Sequence, residues 1–263
     1  MRIVNYIVKV VAVIGVLASV SAAQADQLAK VEQRGVLNVA VPQDFPPFGS
    51  IGTDMQQHGY DIDMATYLAK QLKVKLNLVP VTSANRIPYL QTGKVDLVIS
   101  SMGKNASRAK VINFSDAYAP FYLGVFGSDD QKVSDAKQLS GKTIAVTRGS
   151  VEDLVLSDLA PKDAHIKRFE DNNATLSAYL SGQVRLIATG NLVVTEIANR
   201  YPGKAPKTKF LLKNSPCYVG VMKGEPALLN KVNALIQQAK SQGVLNRLSE
   251  KWLKAPFPKS LGA

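Results

Sequence analysis

Short apolar runs alternate with amphipathic stretches along most of the chain. Val36 to Val41 predicts a first strand, which ends at a turn-forming segment rich in proline. Asp61 to Leu72 predicts a helix, because its apolar side chains recur every four residues on one face. Lys75 to Val81 predicts the next strand. This alternation indicates an α/β fold, in which helices cover the faces of a sheet.

The same alternation continues to the C-terminus. A polar segment at 127–132 separates two series of elements and predicts the passage into a second lobe. The expected strands are Val95 to Ser100, Phe121 to Phe126, Thr143 to Val146, Ile166 to Phe169, Val184 to Ala188 and Cys217 to Met222. The expected helices are Arg86 to Gln91, Val151 to Leu159, Ala174 to Leu180 and two amphipathic helices that close the chain.

The first 25 residues have the pattern of a secretion signal. Two basic residues, Arg2 and Lys9, precede an apolar run from Val10 to Val20, and Ala23-Gln24-Ala25 offers a small-x-small cleavage site. The alternative is an uncleaved anchor, but about 11 apolar residues fall short of the roughly 20 that a spanning helix needs. The only cysteine, Cys217, lies too far downstream to carry a lipid at this site. We therefore expect a cleaved signal peptide and a periplasmic protein without a lipid anchor.

Composition excludes several classes of function. The net charge of +12 favours anionic ligands, but the basic residues are scattered, so no nucleic-acid partner is expected. The two histidines, His58 and His165, lack the spacing of metal ligands. Neither a phosphate-binding glycine loop nor a nucleophile elbow is present in the sequence. We predict no metal, no cofactor and no catalytic residue.

Four segments carry a resemblance to a known family. They strongly resemble the polar amino-acid-binding proteins of ABC importers, the family 3 solute-binding proteins, in order and spacing over essentially the whole mature chain. The segments are Gly59-Tyr60-Asp61-Ile62-Asp63-Met64, Ile87-Pro88-Tyr89-Leu90-Gln91-Thr92-Gly93-Lys94-Val95-Asp96-Leu97, Ser107-Arg108-Ala109-Lys110 and Phe114-Ser115-Asp116.

The resemblance implies a two-lobed periplasmic-binding-protein fold. Each lobe is expected to be a mixed sheet flanked by helices, with two crossover strands between the lobes. The expected first lobe comprises residues 26–120 and 219–263, so that both chain ends belong to it, and the second comprises residues 121–218.

The resemblance also assigns candidate ligand contacts in the first lobe. Arg108 matches an arginine that binds the ligand carboxylate, because a guanidinium can donate two parallel hydrogen bonds to a carboxylate. Ser101 matches a hydrogen-bonding position. Gly103 stands where a second hydroxyl is usual, which leaves its backbone amide as the expected donor.

A further segment resembles the glutamate- and aspartate-binding subgroup. In Thr82-Ser83-Ala84-Asn85-Arg86-Ile87-Pro88, the positions of Ser83 and Arg86 match ligand contacts of that subgroup. A second arginine in the cleft would suit a second carboxylate, so we expect an acidic or dicarboxylate-bearing ligand. An Arg86 that faces outward stays open as an alternative. Phe45 aligns with an aromatic residue that packs over the ligand, and ordinary core packing is its alternative.

The second lobe departs from the family pattern. Family members usually have an aspartate where this chain has Gly190, and that aspartate accepts a hydrogen bond from the ligand ammonium. Without it, Asn191, Asp171 or Thr189 would have to substitute, or the ligand would lack an ammonium group. Ser150 matches a loop position that donates to the ligand.

The resemblance implies a function in transport. We expect a monomer that closes by a hinge around a small amino-acid-like solute and delivers it to an inner-membrane ABC permease. The alternative is an enzyme on the same scaffold, similar to cyclohexadienyl dehydratases, which act on prephenate or arogenate. A binding protein that presents its ligand to a chemoreceptor or a sensor kinase also stays open.

Overall fold

The computed structural model describes residues 26–261, so the predicted signal peptide lies outside the described residues. The strands are β1 Val36–Pro42, β2 Asp44–Phe45, β3 Gly49–Ile51, β4 Gln57–His58, β5 Lys75–Val81, β6 Leu97–Met102, β7 Ile112–Ala119, β8 Tyr122–Gly127, β9 Thr143–Thr147, β10 His165–Phe169, β11 Leu186–Gly190, β12 Lys207–Asn214 and β13 Cys217–Met222. The α-helices are α1 Gln27–Arg34, α2 Tyr60–Leu72, α3 Arg86–Gln91, α4 Ala106–Ala109, α5 Val151–Leu159, α6 Asn172–Leu180, α7 Asn191–Arg200, α8 Pro226–Ser241 and α9 Val244–Leu253.

Two five-stranded sheets have the same mixed design. The first has the strand order β5-β1-β6-β13-β7 and the second the order β10-β9-β11-β8-β12. In the first, β1 runs parallel to β5 and β6, whereas β13 is antiparallel to β6 and β7. In the second, β9 runs parallel to β10 and β11, whereas β8 is antiparallel to β11 and β12. Strands β2, β3 and β4 form a small third sheet.

The chain passes between the two large sheets twice. Residues 120–121 join β7 to β8, and residues 215–216 join β12 to β13. The two crossings are hydrogen-bonded to each other, because Ser215 N donates to Phe121 O at 3.0 Å. Residues 217–218, which the expected boundary assigned to the second lobe, begin β13 of the first sheet.

Buried apolar faces explain how the helices are positioned. All six residues of β6 are buried, as its nearly continuous apolar run predicts for a strand covered on both faces. Helix α8 buries a stripe of apolar residues, Leu228, Val232, Leu235, Ile236 and Ala239. Helix α9 returns to the first lobe, where Trp252 Nε1 donates to Asp63 Oδ2 of α2 at 2.7 Å. Within residues 26–261, no helix combines the length and apolar character needed to cross a bilayer.

Several predicted elements agree with the structure, and others required correction. The bounds of α3, α5 and β13 are as expected. The expected strand Val95 to Ser100 begins instead at Leu97 and continues through Met102. Strands β7 and β12 and helices α1 and α7 were not predicted. Strand β12 is an edge strand with two register shifts and no buried residue, so its sequence lacks a clear two-residue alternation.

Candidate ligand-binding site

A cavity lies between the two sheets, next to the two crossings of the chain. Residues of both lobes and of both crossings line it: Phe45, Ser83, Arg86, Ser101, Gly103, Phe121, Leu123, Thr147, Ser150, Val151, Glu152, Asn172, Ala188, Thr189 and Ser215. Six of the predicted contacts are therefore together in one place, namely Phe45, Ser83, Arg86, Ser101, Gly103 and Ser150. A cavity lined by both lobes suits a site that encloses a small solute.

Arg86 points into this cavity. It is the first residue of α3 and is only 5% exposed, so the outward-facing alternative does not apply. Its Nε donates to Ser100 Oγ at 3.0 Å, and no oxygen within residues 26–261 accepts from its two terminal nitrogens. Burial lowers the pKa of the guanidinium, while the negative charges of Glu152 and Asp61 raise it. A buried cation with unused donors favours an anionic ligand group.

Arg108 joins the two lobes rather than lining the central cavity. Arg108 belongs to the short helix α4, which Asn105 caps, because Asn105 Oδ1 accepts a hydrogen bond from Arg108 N at 2.8 Å. The buried guanidinium donates through Nη1 to Gly103 O at 2.8 Å and through Nη2 to Gly149 O of the second lobe at 2.9 Å. Burial, together with the positive charge of Arg86, lowers the pKa of Arg108 to about 9. The two neighbouring guanidinium groups therefore concentrate positive charge beside the cavity.

Ser101 is held in a strained conformation by a buried carboxylate. Its φ of 41° lies in the left-handed region, which a non-glycine residue rarely adopts. The backbone N of Ser101 donates to Asp61 Oδ2 at 2.6 Å, and the Tyr118 hydroxyl donates to Asp61 Oδ1 at 2.6 Å. Since the amide is already in use, Ser101 can offer a ligand only its hydroxyl. Burial raises the pKa of Asp61 to about 7, although both hydrogen bonds oppose this shift.

A serine of the second crossing occupies the space beside Gly103. A Cβ at position 103 would lie 2.4 Å from Ser215 Oγ and 2.9 Å from Val151 Cγ2. The Ser215 hydroxyl is buried and has no hydrogen-bond partner within the described part of the chain. Ser215 therefore brings to the cavity a hydroxyl that Gly103 lacks. No sequence pattern marks Ser215 as a site residue, because it follows an edge strand in a different part of the chain.

An aromatic ring occupies the space beside Gly190. A Cβ at this position would lie 1.9 Å from Phe121 Cζ, so no side chain fits there unless the ring moves. The ring of Phe121 also packs edge-on against Phe45, with the ring centroids 6.1 Å apart. Phe45 itself lines the cavity and stacks on Phe48. Phe45 and Phe121 thus form an apolar wall on this side of the site, and Phe48 packs against both rings.

The second lobe contributes the end of a helix. Ser150 caps α5, since its Oγ accepts from Asp153 N at 3.1 Å, and the hydroxyl also lines the cavity. Asn191 is not among the lining residues. Its Oδ1 accepts from Tyr122 N at 3.2 Å, so it supports the start of β8. The expectation that Asn191 contacts the ligand therefore does not fit this arrangement.

Glu152 is a site residue that the sequence reading missed. It is the second residue of α5, it is 6% exposed, and it lines the cavity. Burial raises the pKa of its carboxyl group, whereas its own backbone, Ser150 and the two arginines Arg86 and Arg108 lower it. The position of Glu152 could have indicated this role, because it lies two residues after Ser150 in the first turn of a predicted helix.

A polar contact closes the two lobes at another point. Asp44 of β2 accepts from Asn172 Nδ2 at 3.0 Å and from Asn173 N at 2.9 Å, at the beginning of α6. The carboxylate thus meets the exposed amides of a helix N-terminus, where negative charge is favoured. Within residues 26–261, no group of three or more His, Cys, Asp or Glu is arranged to hold a metal ion.

Comparison with known families identifies the chain. The family model described as bacterial extracellular solute-binding proteins, family 3, matches residues 37–255. The chain belongs to this family. Family 3 membership fits the two mixed α/β sheets and the cavity between them, so the predicted fold is confirmed. The protein is an extracellular solute-binding protein and not an enzyme.

Individual relatives of this family 3 protein are named for several amino acids. A glutamine-binding protein of Geobacillus stearothermophilus is 30% identical over 72% of this chain and 73% of its own length. The solved cysteine-binding protein of Campylobacter jejuni has a TM-score of 0.81 at 25% identity, over 89% of this chain and 96% of its own. An ancestral amino acid-binding protein, described as a precursor of cyclohexadienyl dehydratase, has a TM-score of 0.76 at 32% identity, over 87% of this chain and 99% of its own.

Proposed function

We propose that this protein binds a single amino acid between its two lobes and delivers it to an inner-membrane ABC permease. The observation that carries the proposal is Arg86, a buried guanidinium that lines a cavity formed by both lobes and whose terminal nitrogens have no acceptor within residues 26–261. An amino-acid carboxylate would pair with it and with the hydroxyls of Ser83, Ser101 and Ser215. The names of the relatives support an amino acid as the class of ligand.

We further propose that the preferred ligand is acidic. Arg86 and Arg108 place two positive charges beside one cavity, and a second ligand carboxylate would balance the second charge. The relatives quoted above are named for glutamine and cysteine, so this preference rests on the two arginines and not on the comparisons. A glutamate or aspartate ligand fits that charge distribution.

The mechanism is closure about the two crossings. The ligand docks on the lobe that carries Arg86 and Ser101, and the second lobe then covers it. The closed form is favoured by contacts that span the lobes, such as Arg108 with Gly149 and Asp44 with Asn172. The permease would recognise the closed surface. In this proposal the mature protein is a periplasmic monomer, exported through cleavage after residue 25. Its first lobe comprises residues 26–120 and 217–263, and its second comprises residues 121–216.

The enzyme alternative is not supported. The structure whose description mentions cyclohexadienyl dehydratase is itself described as an amino acid-binding protein that precedes the enzyme. Likeness to it therefore favours binding over catalysis.

A thermal-shift panel of amino acids and dicarboxylates tests the proposal. A ligand at about 100 times its dissociation constant stabilises the native state by about 2.7 kcal/mol, which corresponds to roughly 5–10 °C for a protein of this size. We expect L-glutamate or L-aspartate to give the largest shift, and Arg86→Ala to lose more of the shift for dicarboxylic than for monocarboxylic ligands.

Arg185→Ala is the matched control, since Arg185 is an exposed arginine of the second lobe that pairs with Asp130. If no amino acid shifts the wild-type transition, the proposed function is wrong. If Arg86→Ala reduces the thermal shift equally for dicarboxylic and monocarboxylic ligands, the acidic preference is wrong.

A further inference from the structure

An amino acid brings an ammonium group into the cavity as well as a carboxylate. Removing a charged group from water without a partner costs several kcal/mol, so the closed site must supply an acceptor for that ammonium. Arg86 can satisfy only the anionic end of the ligand. The question is which group of this chain meets the cationic end.

The side of the cavity at Gly190 cannot supply that acceptor. The Phe121 ring occupies the space that a side chain at position 190 would need, with 1.9 Å between the ring and an added Cβ. Phe45 extends the same apolar wall. An ammonium group on this side would meet aromatic carbon and no carboxylate.

Three other buried carboxylates near the cleft already have partners. Asp61 accepts from Ser101 N and the Tyr118 hydroxyl. Asp44 accepts from the beginning of α6. Asp153 accepts from Gly149 N at 3.0 Å and pairs with Arg168 Nε at 2.8 Å. None of the three has the combination of position and unused charge that an ammonium group requires.

Glu152 has that combination. It is the only acidic residue among those that line the cavity, which all lie within residues 26–261. It is buried, yet none of the ion pairs formed at 4.0 Å or less in the described chain includes it. Its negative charge is favoured at the first turn of α5. Arg86 and Arg108 act on its charge only from a longer distance, so this buried carboxylate can take a closer cationic partner.

We propose that Glu152 of the second lobe is the counter-charge for the ligand's ammonium group, opposite the carboxylate held by Arg86 of the first lobe. The inference rests on the proposed function and adds a determinant of specificity to it. Since the two charges belong to different lobes, a ligand with both an anionic and a cationic end links the lobes directly. Two guanidinium groups and one carboxylate also complement the two carboxylates and one ammonium of an acidic amino acid.

Calorimetric titration with matched ligand pairs tests this role. The first pair is L-glutamate and glutarate, which differ only in the amino group. The second pair is L-glutamine and 4-carbamoylbutanoate, which differ in the same way. For Glu152→Gln we expect affinity for the amino acid to fall by at least about 100-fold, because a buried ammonium loses its partner. Affinity for the desamino analogue should stay the same or increase.

Glu170→Gln is the control, because Glu170 is an exposed carboxylate of the second lobe that pairs with Arg148. It removes the same charge outside the cavity and should leave both affinities unchanged. The melting temperature of unliganded Glu152→Gln reports whether the variant is folded. If Glu152→Gln leaves amino-acid binding intact, or weakens both members of a pair equally, the role of Glu152 is overturned. If wild-type protein binds no amino acid of the panel, the proposed function itself fails.

Discussion

At the scale of single residues, Asp61 stabilises the backbone of the site through buried hydrogen bonds. Its carboxylate holds the amide of Ser101, which lies in a left-handed conformation at the edge of the cavity. It also accepts from the Tyr118 hydroxyl, and Tyr60 in turn donates to Tyr118 O at 2.8 Å. This network fixes the backbone of Ser101, which lines the cavity. The carboxylate is fully buried, and its ionisation therefore costs stability.

The raised pKa of Asp61 predicts a dependence of stability on pH. The folded-state pKa is about 7, compared with 3.8 for the ordinary group. Between these values the folded state binds a proton that the unfolded state releases, so this residue makes the free energy of unfolding fall as pH rises from about 4 to about 7. Asp61→Asn should remove this contribution, which is on the order of a few kcal/mol.

Urea unfolding of wild type and Asp61→Asn at several pH values measures this effect. The difference in free energy of unfolding between the two proteins should change across the interval from pH 4 to pH 7, in favour of the variant at the higher pH. A difference that is constant with pH would contradict a titrating Asp61.

The sequence predicted the two arginines beside the cavity better than the groups around them. The resemblance supplied Arg86 and Arg108, and it marked Gly103 and Gly190 as departures from the family. Ser215 occupies the space beside Gly103, and Phe121 occupies the space beside Gly190. Both belong to the crossings, which meet the cavity only through the tertiary fold, so local patterns could not assign them.

At the scale of elements, the N-terminus of α6 and the small sheet form a latch across the cleft. Asp44 accepts two hydrogen bonds from residues 172 and 173, and these bonds exist only while the lobes are close. Asn172 is held in turn, because Thr147 Oγ1 donates to its Oδ1 at 2.9 Å. The latch therefore contributes to the free energy of the closed form without touching the charged groups of the cavity.

Asp44→Ala should weaken ligand binding by roughly tenfold, because hydrogen bonds to a charged group contribute about 1.5–3 kcal/mol and water replaces part of that in the open form. Calorimetry with the ligand found by thermal shift measures the change. Asp158→Ala is the control, since Asp158 is exposed on the neighbouring helix α5. An Asp44→Ala variant that binds as tightly as wild type would show that the latch does not stabilise closure.

Elements with strong periodicity were predicted well, and elements with weak patterns were not. Helices α3 and α5 and strand β13 have regular apolar faces or continuous apolar runs, and their bounds agree. Strands β7 and β12 contain register shifts, which interrupt the two-residue alternation. Helix α1 is different, because Asp26 and Gly35 are recognisable capping residues that the sequence reading did not use.

At the scale of the whole molecule, the two lobes meet around a cleft that concentrates charge. Arg108 is central to this arrangement, because its buried guanidinium belongs to the first lobe and donates to Gly149 O of the second. Its positive charge also lies beside that of Arg86, which lowers its pKa. Glu152 supplies one negative charge against these two cations, so an anionic ligand and closure should stabilise one another.

Calorimetric titration of Arg108→Ala with the preferred amino acid tests the central claim most directly. The substitution removes both a bond between the lobes and a positive charge beside the cavity. We predict that affinity falls by at least about 100-fold, since the closed form loses a charged hydrogen bond between the lobes and the ligand loses a neighbouring positive charge. An unchanged affinity would contradict the claim that closure of the two lobes around an anionic group is how this protein holds its ligand.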